Sequence, residues 1–484
     1  MTTSSMFAEP LWTTPELALA TAGRVVGRAD EPATGVSIDS RTVARGDVFF
    51  AIKGDVHDGH KFVADALARG AALAVIDEAH AAELKDAGAL LVVKDVLAAL
   101  VATGVAARAR SKARIVAVTG SVGKTSTKEA LRLVLAEDGP THASAASHNN
   151  HWGVPLTLAR LPRSAAYGVF EIGMNHADEI RPLVKMVRPH VAAITNVEPV
   201  HLAAFPNVEA IADAKAEVFE GFANGGHAVI NRDNPHYERL KAAATEAGAA
   251  VWSFGEHVSS DARLDRLAMK EQGSCVAATV LGEGVTFKIG APGRHVVQNA
   301  LAVLLSAKLA GADLALAALA LARFAPPAGR GKRLALSAPG GVLTVIDESY
   351  NANPASMRAA LALLGQSPVQ PGGRRIAVLG DMLELGPESE ALHAKVAEAA
   401  ANAKIDLVFT AGPLMKALND ALPPARRGGW AATAAELEPK LFERLRGKDV
   451  VMIKGSNGSR MGPLVTALRD RFAPADETFA AGSL

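Results

Sequence analysis

The stretch RIVAVTGSVGKTSTKEAL, Arg114 to Leu131, runs strand, glycine loop and helix in the order a phosphate cradle needs. Gly120 and Gly123 let the backbone turn its N–H groups toward an anion. Lys124 can reach terminal phosphates, and the Thr125 hydroxyl can ligate Mg²⁺. The longer form of this loop has a further glycine where Val118 stands, so the match is to the shorter pattern GxxGKT. A bare GxxG before a helix is only a turn; the preceding strand and the Lys-Thr pair make it a nucleotide site. Its members are Gly120, Ser121, Val122, Gly123, Lys124, Thr125 and Ser126.

The same rhythm extends in both directions. Downstream, YGVFEIG (167–173), HVAAITNV (190–197) and HAVINRDNP (227–235) read as neighbouring parallel strands whose C-terminal ends face one crevice. The segment Val258 to Arg294 is poor in helix signals and is predicted as a small β excursion, followed by a helix from about Val296 to Gly311. Upstream lie DVFFAIKG, AALAVID and LLVVKDV, then an alanine-rich helix to about Arg110. Beyond the Pro/Gly joint PPAGRGKR (326–333) come VLTVIDESY, RRIAVLGD, IDLVFTAG and VVMIKGS, each followed by a helical segment. The predicted class is α/β in three domains. These are an N-terminal α/β unit (1–112), a central P-loop parallel-sheet unit (113–327) and a C-terminal Rossmann-like unit (328–484).

Bulk composition agrees, since 484 residues exceed one ordinary core. A hydrophobic fraction of 49% with only 5% aromatics suits parallel sheets covered by helices. Lys+Arg 51 against Asp+Glu 50 leaves no global field to draw the chain onto nucleic acid or a membrane, so an anion must be caught locally. The single cysteine, Cys275, excludes an intramolecular disulfide and a cysteine-rich zinc site, and reads as a buried inert thiol. The N-terminus has no basic region and carries Glu9 and Glu16, unlike a signal peptide, and the apolar run Leu314 to Ala322 is too short to span a bilayer. The expected compartment is the cytoplasm, and the tail ADETFAAGSL (475–484) is expected to be unstructured.

Other residues admit two readings. Glu171 closes an apolar strand, where a carboxylate is costly unless it meets a cation or donors; it is a Mg²⁺ ligand or a capping group. His201, at a third strand end, is a ligand or a structural histidine. Lys215, in IADAKAEVFEGF, reads by itself as solvated surface.

The strings TGSVGKTSTKE, HNNHWGVPLTL (148–158), EIGMNHADEI (171–180), ITNVEPVHLAAF (194–205) with AKAEVF (214–219), and Asn299 in HVVQNALAV resemble the Mur ligase family, and the likeness covers nearly the whole chain. By that resemblance Thr125 and Glu171 bind one Mg²⁺, His201 helps hold a second, and Asn299 faces adenine. It makes Lys215 carbamylated and, with Lys124 and His201, catalytic, overriding the surface reading. Carbamylation turns an amine into an anionic oxygen ligand, which suits Mg²⁺ as an ammonium cannot.

The N-terminal run 37–71 resembles the family's uridine-diphosphate region. It offers Ser40 and Arg41 as nucleotide contacts, with Asp58, Gly59 and His60 secondary. Locally, Asp39 to Arg41 reads equally as a capped turn and DGH as a loop. The strings VIDESYNANP, GDMLELG and KGSNGSRM resemble the dipeptide-adding branch. They imply Arg330 and Asp347 on the ATP side, Tyr350, Asn351, Asn353, Asp381 and Met382 toward the dipeptide, and Asn149 and Asn150 as further substrate contacts. Three features depart from the pattern: Glu348 replaces a second Asp, no acidic residue follows Met461, and His151-Trp152 precedes Gly153.

The activity so implied is ATP- and Mg²⁺-dependent addition of D-alanyl-D-alanine to UDP-N-acetylmuramoyl-tripeptide through an acyl phosphate, by a monomer, for peptidoglycan synthesis. Meso-diaminopimelate and lysine both stand for the third residue, and Asp381 and His393 for the base. Two alternatives are a folylpolyglutamate synthase, which should lack the DSR and DGH region, and a P-loop switch, for which no NKxD guanine signal is present.

Overall fold

In the computed structural model, which describes residues 10–475 apart from 30, 146, 201, 224, 271 and 272, the apolar runs become the strands of three sheets. The N-terminal sheet contains β1 (Arg24–Val26), β2 (Gly35–Ser37), β3 (Asp47–Phe50), β4 (Leu73–Asp77) and β5 (Leu90–Val93), in the order 1-5-4-3-2. All pairings are parallel except β1 with β5. The helix Val96–Arg110 leaves this sheet from an Asp95 cap, whose carboxylate accepts from the Ala98 N–H at 2.7 Å.

The central sheet runs through β6 (Arg114–Thr119), β7 (Thr141–Ala143), β8 (Tyr167–Glu171), β9 (Val191–Ile194), β10 (His227–Asn231), β11 (Ala250–Gly255), β12 (Ala262–Lys270), β13 (Gly273–Val280) and β14 (Glu283–Ile289). Their order is 14-13-12-11-10-9-6-8-7. Because β6 pairs parallel with β8 on one side and β9 on the other, the strand order reverses there, and a crevice opens beyond its C-terminal end. The predicted β excursion is an antiparallel extension of this same sheet. Its alternation turns Val276 and Ala278 inward and Cys275 outward, so the cysteine is exposed, against the buried thiol expected from the sequence. The helix expected from Val296 runs Arg294–Leu309.

The C-terminal sheet contains β15 (Lys332–Ala338), β16 (Gly341–Glu348), β17 (Arg375–Gly380), β18 (Leu407–Ala411), β19 (Arg427–Ala431) and β20 (Val450–Lys454), ordered 15-16-20-17-18-19, with only β15 antiparallel.

Long-range contacts seat the N-terminal sheet on the central one. Trp12 Nε1 donates to the Ala159 carbonyl at 2.8 Å, Arg160 Nε to Val36 at 2.6 Å, and the Arg110 guanidinium lies 3.6 Å from the Trp12 ring centre. Trp152 packs on Gly54, where a Cβ would fall 2.8 Å from the ring, which gives Trp152 of the unusual His151-Trp152 pair a joining role. Among the described residues no helix is long and apolar enough to cross a membrane. Of the tail, only Ala475 lies within the described residues.

Candidate functional site

The chain leaves β6 through Gly120 and Gly123, whose φ of 145° and 85° lie where side chains are strained. Space forbids a side chain as well: a Cβ on Gly120 would lie 2.0 Å from Thr195 Oγ1, and one on Gly123 would lie 2.7 Å from Asn299 Nδ2. Residues following β9 brace the loop. Thr195 Oγ1 donates to the Val122 carbonyl at 2.6 Å, and Ser121 Oγ donates to the Glu198 carbonyl at 3.0 Å while accepting its N–H at 2.9 Å. The helix Lys124–Leu135 that follows has no side-chain cap. Its first N–H groups and positive dipole end are therefore available to an anion.

Lys124 Nζ folds back onto the Gly120 carbonyl at 2.7 Å. Burial depresses its pKa; Glu171 opposes that shift and Arg330 adds to it. Glu171 is 1% exposed. One of its oxygens accepts from Thr125 Oγ1 and the other from Asn149 Nδ2, both at 2.8 Å. A buried carboxylate met by neutral donors, with a hydroxyl on the same oxygen, is a hard-oxygen set of the kind Mg²⁺ takes. Asn150 Oδ1 accepts from the Gly153 N–H at 2.9 Å and starts the helix Gly153–Ala159.

Lys215, on the helix Val208–Ala216, is 2% exposed, which corrects the local reading of a solvated lysine. Burial holds its pKa well below the usual lysine range and Lys124 pushes the same way, so the neutral amine that carbamylation requires is favoured. The Thr125–Glu171 pair is the part of the expected Mg²⁺ donor set that the structure brings together. His201 lies outside the described residues.

A cavity of about 1100 Å³ joins this centre to the C-terminal sheet. The central wall includes Ser121, Val122, Gly123, Lys124, Ser126, Asn149, Asn150, Glu171 and Asn299; the opposite wall carries Arg330, Tyr350, Asn351 and Asn353. Arg330 stacks 4.3 Å above the Tyr350 ring centre. Asn353 caps the helix Pro354–Gln366, taking the Ser356 N–H at 2.8 Å. The cavity wall also contains His295, Glu348 and Lys454, none of which sequence reading assigned a role. The only signal for them was their place inside HVVQN, DESYN and KGS.

Three expected positions stand elsewhere. Asp347 is not on the wall: its carboxylate accepts the Gly329 N–H at 2.9 Å and the Ser349 N–H and hydroxyl at 3.1 and 2.6 Å, tying the joint that carries Arg330 to β16. Asp381 and Met382 are also off it. Asp381 accepts the Met415 N–H at 2.9 Å at the start of a helix, and Met382 is fully buried. Their loop instead props the KGS segment, through Ser456 N–H to the Asp381 carbonyl at 3.1 Å and Leu383 N–H to Ser456 Oγ at 3.0 Å. His393 is not a free base either, because Nε2 accepts the Met382 N–H at 2.9 Å and Nδ1 faces the Ser389 carbonyl at 2.6 Å.

The uridine-diphosphate candidates form a separate group on the N-terminal sheet. Ser40 is buried, and Arg41 is exposed with its fork on Asp39 at 2.9 and 2.7 Å, the geometry of the capped turn. Asp58 holds His60 Nδ1 at 2.7 Å, while a Cβ on Gly59 would strike the Ala51 backbone at 2.7 Å. Asp58, His60 and His80 cluster closely enough to suggest a metal, but the two imidazoles stack 3.9 Å apart within 10° of parallel. An ion cannot lie in both ring planes, so the group reads as structural.

Residues 32–118 match the Mur ligase family catalytic domain, 118–307 the Mur ligase middle domain, and 329–457 the Mur ligase glutamate ligase domain. The chain is similar to the UDP-N-acetylmuramoyl-tripeptide–D-alanyl-D-alanine ligase of Escherichia coli strain K12, with 34% identity over 91% of this chain and 95% of that protein. Similarity to the enzyme of the same name from Rickettsia prowazekii is 33% over 89% and 94%. A crystal structure of MurF from Acinetobacter baumannii superposes with a TM-score of 0.82 at 30% identity, covering 96% of this chain and 99% of that one.

Proposed function

The chain belongs to the Mur ligase family, and from that membership we infer that it adds D-alanyl-D-alanine to UDP-N-acetylmuramoyl-tripeptide at the expense of ATP, supplying the pentapeptide precursor of peptidoglycan. The observation that carries this reading is the single cavity shared by the phosphate loop at Lys124 and by Tyr350, Asn351 and Asn353 of the third sheet. A carboxylate activated on one wall meets an amine presented by the other.

In this reading the loop N–H groups and Lys124 hold the ATP phosphates, Asn299 flanks the loop toward the adenine, and Arg330 closes the phosphate end from the C-terminal side. The tripeptide carboxylate attacks the γ-phosphorus, releasing ADP and forming an acyl phosphate. The amine then attacks the acyl carbon, and phosphate leaves as the tetrahedral intermediate collapses. Thr125, Glu171, carbamylated Lys215 and His201 are the residues proposed to hold Mg²⁺, which when bound offsets the charge on the phosphate oxygens. Ser40, Arg41, Asp58, Gly59 and His60 mark the region proposed for the uridine diphosphate. Arg41 would exchange Asp39 for phosphate, whereas Asp58 and His60 would shape the loop. The proposed domain limits are 1–112, 113–327 and 328–484, with a monomer working in the cytoplasm, where ATP and UDP-sugars are available.

The test is ADP release with ATP, Mg²⁺ and UDP-N-acetylmuramoyl-tripeptide, comparing D-alanyl-D-alanine with L-alanine, D-glutamate, lysine and meso-diaminopimelate. A site built for the dipeptide's internal amide and carboxylate leaves buried groups unpaired with a single amino acid, so the dipeptide should win by a wide margin. Turnover with one of those amino acids on a shorter acceptor, and none with the dipeptide, would reduce the assignment to ligase chemistry alone.

A further inference from the structure

Lys128 lies one turn after Lys124 on the helix Lys124–Leu135 and shares its face. Its side chain is fully buried, with 0% exposure. Nζ donates to the Ser144 carbonyl at 2.7 Å and lies 2.7 Å from Glu129 Oε1. Taking an ammonium out of water is costly, and an unbranched apolar side chain such as Met would fill much of the same space without that cost. Packing alone therefore does not account for a lysine here; what its charge holds does.

It holds the connection from β7 to the helix Gly153–Ala159. Ser144, itself buried, donates its N–H to the Val169 carbonyl at 3.1 Å, and its hydroxyl accepts the Glu171 N–H at 3.3 Å. Five residues on, Asn149 donates Nδ2 to Glu171, and its carbonyl accepts the Gly173 N–H at 2.9 Å. Those anchors belong to β8 and the residues directly after it. Among the described residues, the Lys128 bond is the one that fastens this connection to the helix beginning at the phosphate loop. Ser147, Asn149 and Asn150 line the same cavity as Val122, Gly123 and Lys124.

We propose that Lys128 is a positioning residue that couples nucleotide binding to the order of residues 147–150, bringing the substrate side of the cavity into register with the phosphate loop. The proposal rests on the reading of that loop as a nucleotide site. Phosphates held by the first N–H groups of the helix fix where the helix starts. Lys128, four residues along, passes that placement to the Ser144 carbonyl, and the chain carries it on to Asn149 and Asn150. An apolar residue would keep the contact but supply no directional bond. Lys128 touches neither reactant in this scheme.

Amide hydrogen exchange with and without ADP and Mg²⁺, on wild type and Lys128→Met, tests the coupling. In wild type, ADP should slow exchange in the loop 120–126 and, by about tenfold or more, in 147–150, the scale of one hydrogen bond to a charged group. In Lys128→Met the loop should still be protected, while the effect at 147–150 should nearly vanish. In turnover that variant should raise KM for UDP-N-acetylmuramoyl-tripeptide by about tenfold and leave KM for ATP close to wild type. Combined with Asn149→Ala, its loss should be smaller than the product of the two single losses, because both act through one segment. An unprotected 147–150 beside a protected loop in wild type overturns the coupling, and that arm needs no variant to fold. An undiminished effect in Lys128→Met, single losses that multiply, or loss of ADP protection at the loop as well in that variant overturns it too. If ADP protects neither segment of wild type, the nucleotide reading fails instead.

Discussion

The Thr125 hydroxyl donates to the buried carboxylate of Glu171 at 2.8 Å, so the residue after the phosphate-loop lysine and the last residue of β8 meet oxygen to oxygen. Both are held for other reasons: Thr125 by the helix that starts at Lys124, Glu171 by the Asn149 amide and by its own N–H on Ser144 Oγ at 3.3 Å. Glu171→Gln keeps the size and an acceptor for Thr125 but removes the charge. It should fold normally, need far more Mg²⁺ for half-maximal turnover, and lose at least about a hundredfold in kcat at ordinary Mg²⁺, the scale of one electrostatic stabiliser. A Mg²⁺ titration followed by ADP release decides the matter. A wild-type curve returns Glu171 to a capping role.

Lys124→Ala should leave the circular dichroism spectrum and melting behaviour close to wild type, because the side chain's hydrogen bond is to the neighbouring Gly120 carbonyl. Turnover should fall by about a hundredfold or more. A folded variant with near-normal turnover would remove the phosphate-cradle assignment.

Much of this was legible in the sequence, for identifiable reasons. β6 and its loop are set by local chemistry, a β-branched run followed by glycines at positions with positive φ, and these survive any tertiary context. Tyr350, Asn351 and Asn353 reach the cavity because they lie on the turn that leaves a strand end. Lys215 was misread locally because nothing in IADAKAEVF signals that a lysine faces inward; its 2% exposure comes from packing of distant elements. Asp381 and Met382 belong to a recognisable string but serve the loop beneath the site, and sequence cannot separate a residue that touches a ligand from one that props its neighbour. Cys275 was misjudged because its strand is the middle of an antiparallel extension with one solvated face.

His190 offers a pH test outside the cavity. Its Nδ1 accepts the Ile115 N–H at 2.9 Å at the base of β6, a bond that requires the unprotonated nitrogen. Burial, helped by Arg114 and other nearby cations, pushes its pKa down from 6.5 to about 4. The folded state therefore binds fewer protons than the unfolded chain between about 4 and 6.5, so stability rises with pH across that window and is lost on acidification through it. Urea midpoints at closely spaced pH values should show this slope in wild type, and His190→Gln, which offers an acceptor that does not titrate in this range, should flatten it. An equal slope in both proteins would assign the acid sensitivity elsewhere.

The proposed carbamylation of Lys215 gives the sharpest chemical test. Lys215 is buried beside Lys124, and burial favours its neutral amine, the form that adds CO₂ and presents a carboxylate. Lys215→Ala removes that oxygen ligand and leaves a space where the side chain was. The variant should be nearly inactive, yet it should recover part of its turnover when a short-chain carboxylic acid is supplied, because the missing element is an anionic oxygen and not a covalent link. Lys215→Arg, permanently charged and unable to be carbamylated, should stay inactive with or without the acid. Mass measurement of the intact protein in bicarbonate should show the added carbon dioxide in wild type and not in either variant. Full activity of Lys215→Ala without any additive would show that the lysine is buried for packing alone.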